Sequence, residues 1–138
     1  MLEPRHVKKK WGYETHIVNH VLYCGKILTV SQRKVACSLH YHAKKHETFH
    51  ILRGALHLQT LLPTGRTGGY ILKAGSTLVL PPRTAHRFWI EGEVCDFIEV
   101  STMDDPDDSI RIFKSGPAPE SLATFEPTLA GKTFDWGQ

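Results

Sequence analysis

The chain has 138 residues, 41% of them hydrophobic and 22% charged, with a net charge of +3 when histidine is neutral. That length suffices for one domain with a single core and is too short for two. No apolar run approaches the roughly 20 residues that cross a bilayer, and no basic face interleaved with aromatic residues suggests a nucleic-acid partner.

The N-terminal stretch "MLEPRHVKKKW" carries Arg5, Lys8, Lys9 and Lys10 but no apolar segment after them, so it does not read as a secretory signal. Residues 1–10 are expected to be a solvated basic arm, and the expected location is cytoplasmic. Cys24, Cys37 and Cys95 are odd in number and form no CxxC pair, and two of them sit in apolar stretches. That pattern fits reduced, buried thiols.

From Ile17 to about Ile112 strand signals dominate: "YCGKILTV", "VACSLHYH", "TFHILRGALHLQTLL", "YILKAG", "STLVLPP", "HRFWIEG" and "VCDFIEVS". They are short, rich in β-branched and aromatic residues, and separated by turns such as "PTGRTGG" and "EGE". No window of helical length carries a 3.6-residue period. Strands at this spacing predict an all-β sandwich or small jelly-roll barrel over residues 11–114. After Met103, "DDPDD" reads as an acidic turn and "SIRIF" as a last short strand. The segment 115–138 carries several prolines. It is expected to lie extended over the surface or against a partner subunit, anchored by Phe125, Phe134 and Trp136, or to be disordered.

The stretch "LHYHAKKHETFHILRG", residues 39–54, holds most of the recognisable chemistry. Side chains alternate across a strand, so His40 and His42 share one face and Tyr41 takes the other. On the returning strand Glu47, Phe49 and Ile51 share a face. The apolar pair marks that face as inward and turns His46 and His50 outward. Leu56 and Leu58 point inward by the same reasoning, and His57 outward. In "LPPRTAHRFWI" His86, Phe88 and Ile90 face inward, with Arg87 and Trp89 opposite. Burying Glu47 without a partner would cost several kcal/mol, so four such groups inside one barrel predict a metal site. Three imidazoles and one carboxylate suit a divalent transition metal: Zn, Mn, Fe, Co or Ni. The other histidines, His6, His16, His20, His46, His50 and His57, read as solvated or hydrogen-bonded residues.

These residues resemble a known pattern. His40 to Gly54 has the spacing H-x-H-x4-E-x6-G of the first cupin motif, and Gly75 to His86 resembles the second, G-x5-P-x-G-x2-H. Arg83 stands where the second pattern has Gly, and Lys34 where the first often opens with Gly. The resemblance implies the cupin fold, a double-stranded β-helix (jelly-roll) forming a small barrel. "KWGYE", "GKIL", "SLHYH", "PPRTAHRF" and "FIEVST…DDSIRI" follow the order seen in type II mannose-6-phosphate isomerase domains over about residues 11–114, without the nucleotidyltransferase half of the fused kind. The isomerase pattern tends to carry Gln where His40 stands.

That resemblance implies aldose–ketose isomerisation of a sugar or sugar phosphate at a metal held by His40, His42, Glu47 and His86. Glu99 and Lys26 are then the candidate bases that move a proton between adjacent carbons, and Tyr23 a candidate hydrogen-bond donor. Lys44, Lys45, Arg53 and Arg83, and Arg87 less readily from its outward side, are candidates for holding a phosphate. The three-histidine set also suits an iron- or manganese-dependent dioxygenase or lyase acting on a small carboxylate. A non-enzymatic sugar-binding cupin is a further alternative. Outward Tyr41 and Trp89, with His50 and His57, suit a sheet-to-sheet homodimer contact.

Overall fold

A computed structural model of the chain describes residues 1–126. Thirteen strands follow one another: β1 Arg5–Lys9, β2 Gly12–Asn19, β3 Cys24–Val30, β4 Val35–Ala36, β5 Leu39–Tyr41, β6 Glu47–Arg53, β7 Ala55–Leu61, β8 Thr67–Lys73, β9 Thr77–Leu80, β10 Ala85–Trp89, β11 Cys95–Ser101, β12 Ile110–Phe113 and β13 Gly116–Pro117. The acidic "DDPDD" turn contains a single 3-10 turn at Pro106–Asp108. A six-stranded sheet runs β1-β2-β3-β11-β6-β9 and a five-stranded sheet β12-β5-β10-β7-β8, with β13 and β4 as a small third pair. Pairing is antiparallel throughout. The fold is the jelly roll expected from the strand spacing.

The core lies between the two sheets. Leu28, Phe49, Ile51 and Phe97 come from the six-stranded sheet and meet Leu56, Leu58, Leu72 and Phe88 from the five-stranded one. Period-2 alternation selects these residues, as β6 shows: Glu47, Phe49 and Ile51 are buried while Thr48 and His50 between them are half-buried and Leu52 is exposed. The rings of Phe49, Phe88 and Phe97 meet at centroid separations of 4.8–6.3 Å. Gly54, which closes the first motif, has φ of +79°, and a Cβ there would lie 2.5 Å from the Val94 carbonyl oxygen. Only glycine fits both the backbone conformation and that approach.

Two expectations change. Residues 5–9 form an edge strand hydrogen-bonded to β2 in full register from Arg5↔His16 to Lys9↔Gly12, not a loose arm. The outward faces of β5, β7 and β10 are also largely closed. Tyr41 and Trp89 are only 4% and 1% exposed, so these aromatic residues offer no open surface for a subunit contact. Arg87 is 2% exposed; its guanidinium bonds to Gln59 Oε1 and Glu126 Oε1, each at 2.7 Å. Gln59 in turn donates to the carbonyls of Leu122 and Thr124. Phe125 lies over Arg87 and packs with a second apolar cluster of Leu39, Tyr41, Leu61 and Ala85. The segment through residues 121–126 therefore docks on this face as expected for an extended tail, with Phe125 as an anchor. Phe134 and Trp136 lie outside the described residues.

Candidate metal centre

His40 on β5 and His86 on β10 are direct cross-strand partners, which places their side chains on one face. His42 follows β5 by one residue. Glu47 opens β6 on the opposite sheet, so the four groups meet in the space between the sheets. The ligating atoms of His40, His42 and His86 lie within 4.8 Å of one another and could hold a metal ion. Glu47 Oε2 stands 3.3 Å from His86 Nε2 and 3.6 Å from His42 Nε2.

Each imidazole is oriented by a backbone carbonyl. Nδ1 of His40 donates to Ser38 O at 2.9 Å, Nδ1 of His42 to Asp108 O at 2.7 Å, and Nδ1 of His86 to Thr84 O at 3.0 Å. With the proton on Nδ1, Nε2 of each ring is left with a lone pair, the form a metal binds. Burial, reinforced by His42, pushes His40 down to about 4. Burial and then His40 hold His86 well below its usual value, and burial with Lys45 lowers His42. All three rings are therefore neutral near pH 7. His86 Nε2 is fully buried with no hydrogen-bond partner among the described residues, a position that proteins rarely leave empty-handed. The donor set fits a divalent transition metal.

Asp108, which the sequence reading did not single out, holds the turn between β5 and β6. Its carboxylate accepts from the backbone N–H groups of Ala43 at 2.8 Å, Lys44 at 3.1 Å and Lys45 at 3.0 Å. Its own carbonyl is the acceptor for His42. One residue thus fixes both the motif turn and a ligand tautomer.

Next to the histidines lies a buried ionic network. Lys45 Nζ contacts Glu99 at 2.7 Å, Asp104 at 3.1 Å and Glu47 at 3.3 Å. Lys26 Nζ contacts Asp104 at 2.7 Å and Glu14 at 3.6 Å, and Glu14 also pairs with His16 at 2.7 Å. Burial would raise Glu99, yet Lys45 and Lys26 overcome it and hold the carboxylate below its usual range. Glu47 moves the other way: burial and the Glu99 charge raise it well above the usual range. Two carboxyls in one site are thus driven apart by their surroundings.

This network and the histidines line one cavity of about 560 Å³. Glu99, Lys26 and Lys45 belong to its wall, and His16, expected to be a solvated residue, does too. The other sequence candidates stand elsewhere. Tyr23 is exposed and stacks on His20. Lys44 is exposed at the turn. Arg53 is 65% exposed and pairs with Asp96. Arg83 is exposed on the loop before β10, its backbone N–H bonded to His42 O, and Arg87 is committed to the outer face. Of the remaining histidines, His50 bonds Thr77, His6 meets Thr15, His57 stacks edge-on against Trp89, and His46 is exposed.

No family model matches the sequence, and no curated protein is significantly similar to it. Solved structures are similar in fold. Oxalate decarboxylase from Bacillus subtilis at pH 4.6 superposes with a TM-score of 0.72 at 15% identity, covering 80% of this chain and 30% of that one. The formate complex of Lactobacillus farciminis oxalate decarboxylase gives 0.70 at 15% identity, covering 80% and 34%. The fold is the cupin jelly roll. The chain spans about a third of the length of these similar structures. No helix among the described residues is long and apolar enough to cross a membrane.

Proposed function

We propose that this chain is a metal-dependent cupin enzyme that moves a proton between adjacent carbons of a sugar or sugar phosphate, an aldose–ketose isomerase. The observation that carries the reading is a buried Glu99, paired with Lys45 at 2.7 Å, facing the same cavity as the clustered imidazoles of His40, His42 and His86. His40, His42, His86 and Glu47 would hold one divalent transition metal. The chemistry supplied at that centre is Lewis-acid polarisation of a carbonyl and its neighbouring hydroxyl. Glu99 is the base: it is held ionised by Lys45 and Lys26, and Ser101 Oγ donates to its Oε2 at 3.1 Å. A proton taken from C2 returns to C1 from the same carboxyl, while the C2 hydroxyl proton passes to the C1 oxygen, so that aldose and ketose balance. Lys45, fixed among three carboxylates, orients Glu99 and supplies positive charge beside developing enolate oxygen. Lys26 supports Glu99 from the next strand, where the two are cross-strand partners.

The test is exchange of the C2 proton of sugars and sugar phosphates in D₂O by metal-loaded protein. Exchange lost in Glu99→Gln with metal content retained supports the reading. Absence of exchange across the aldohexoses, aldopentoses and their phosphates sinks it.

The three-histidine, one-glutamate donor set favours a second reading, a lyase or dioxygenase acting on a small carboxylate at the same centre. Tightly held iron or manganese, with oxygen uptake or carbon dioxide release from a carboxylic acid, would select it. Oxalate decarboxylases share the fold and set the first acid to try.

A further inference from the structure

The cations of this cavity fall into two groups with different partners. Lys26 and Lys45, deep in the wall, are matched by Glu14, Glu47, Glu99 and Asp104. Arg5, Lys8, Lys9, Lys10, Arg111 and Lys114 also line the cavity but are exposed, so they mark its solvent side. None of these six makes an ion pair among the described residues. The mouth therefore carries positive charge that the described residues do not neutralise.

Strand register explains how they come to face the site. In the six-stranded sheet Arg5 pairs with His16, His16 with Lys26 and Lys26 with Glu99. Cross-strand partners share a face, so one inward row runs from Glu99 to Arg5 at the sheet edge. In the five-stranded sheet His86 pairs with His40 and His40 with Arg111. The second inward row runs from two metal-site histidines to Arg111 on the other edge. Each row begins in the reaction centre and ends in an unpaired arginine. Adjacent strands are about 5 Å apart, so Arg111 stands one strand from His40, the reach of a chain of a few carbons.

We propose that Arg5 and Arg111, with Lys9 and Lys114 beside them, form an anion-binding subsite that takes a phosphoryl group at the far end of the substrate. Guanidinium groups match a tetrahedral oxyanion with paired N–H donors. The N-terminal hairpin then acts as a specificity element, since β1 supplies Arg5 and Lys9. The identity of the rest of the substrate rests on the reaction proposed above; anion binding at the mouth does not need the metal. A small ligand is favoured over a nucleic acid because the cations rim a cavity that leads to the histidines.

The probe is inorganic phosphate, titrated calorimetrically into chelator-stripped protein, with chloride holding ionic strength constant. Saturable binding is expected, with a matching rise in melting temperature. Arg5→Gln with Arg111→Gln should weaken it at least tenfold while leaving the melting temperature in chloride unchanged. Phosphate no better than chloride, binding unaltered in the double variant, or binding seen only after metal is restored each overturns the subsite. Tighter binding of a short single-stranded oligonucleotide than of phosphate, lost in the same variant, overturns the small-ligand assignment. The two proposals fail separately. Phosphate binding without C2 exchange on any sugar removes the isomerase reading alone, and exchange on neutral sugars without phosphate binding removes the subsite alone.

Discussion

Replacing Asp108 by Ala removes the acceptor for three backbone N–H groups in the turn from Ala43 to Lys45. Hydrogen bonds to a charged acceptor contribute about 1.5–3 kcal/mol each when no substitute is at hand. Lys44 is exposed and water can serve its N–H, whereas Lys45 is buried. The expected loss is therefore about 2–4 kcal/mol rather than the full sum. At a few degrees per kcal/mol, that lowers the melting temperature by roughly 6–16 °C. The same change loosens the carbonyl that orients His42 Nδ1, and losses of such outer partners weaken metal binding about 10–100-fold. Urea denaturation of stripped protein measures the first effect, and competition with a chromophoric chelator the second. Asp108→Asn, which keeps one oxygen but not the charge, should fall between wild type and Ala in both. An Ala variant with unchanged metal affinity refutes the coupling of turn to ligand, even if stability falls.

The two motif positions that depart from glycine, Lys34 and Arg83, have φ of +59° and +62°. A side chain costs about 1–2 kcal/mol in this left-handed region, more than the roughly 0.4–1 kcal/mol glycine adds in chain entropy. Lys34→Gly and Arg83→Gly should each raise the urea midpoint by up to about 1 kcal/mol equivalent; a lowered midpoint contradicts this. Asp104 has its carboxyl held well below its usual value: burial opposes this, but Lys26 and Lys45 prevail. A depressed acid contributes stability above its unfolded value, near 4, and loses it as pH falls below that. Asp104→Asn should thus destabilise the protein at pH 7 and flatten its decline below pH 4, as followed by denaturation at each pH. Cys37 and Cys95 are buried, and burial pushes both up to about 12. A thiol reagent at pH 8 should label them only after denaturation, and rapid native labelling would contradict their placement.

Local alternation is enough to group His40, His42, Glu47 and His86, because each lies on or beside a strand whose inward face is marked by Phe49, Phe88 or leucine. It fails where a face is covered by something distant in sequence. Arg87 and Trp89 do point away from the core, but outward does not mean exposed: Arg87 is sealed by a segment some forty residues downstream. Strand β1 escapes notice for another reason. Its sequence, RHVKK, has one apolar residue, as suits a charged edge that discourages further pairing. Asp108 and Asp104 read as members of an acidic turn, and only tertiary contact shows that they hold Lys45, Lys26 and a motif loop.

The charge balance around Glu47 gives a last test of whether these residues form a metal centre or a purely structural network. Glu47 and Glu99 are buried and share Lys45, which also contacts Asp104. Lys26 is paired with Asp104 and Glu14 and the imidazoles contribute no charge, so carboxyls outnumber ammonium groups in this network. Burial first, and then the Glu99 charge, raise the Glu47 carboxyl well above the usual range, so of the two acids it is the more readily protonated in stripped protein. Glu47→Gln replaces that acid by a neutral amide of the same shape, so stripped variant and stripped wild type should differ little in stability. A bound dication reverses the demand, because an ionised Glu47 then completes the donor set. Metal at a hundred times its dissociation constant adds about 2.7 kcal/mol to the folded state, and the variant should forfeit most of that increment. Equal melting temperatures without metal and a gap that opens only on adding it mark Glu47 as a ligand. A Gln variant that is equally destabilised with and without metal marks Glu47 as a structural partner of Lys45, and the metal centre would then reduce to the three histidines.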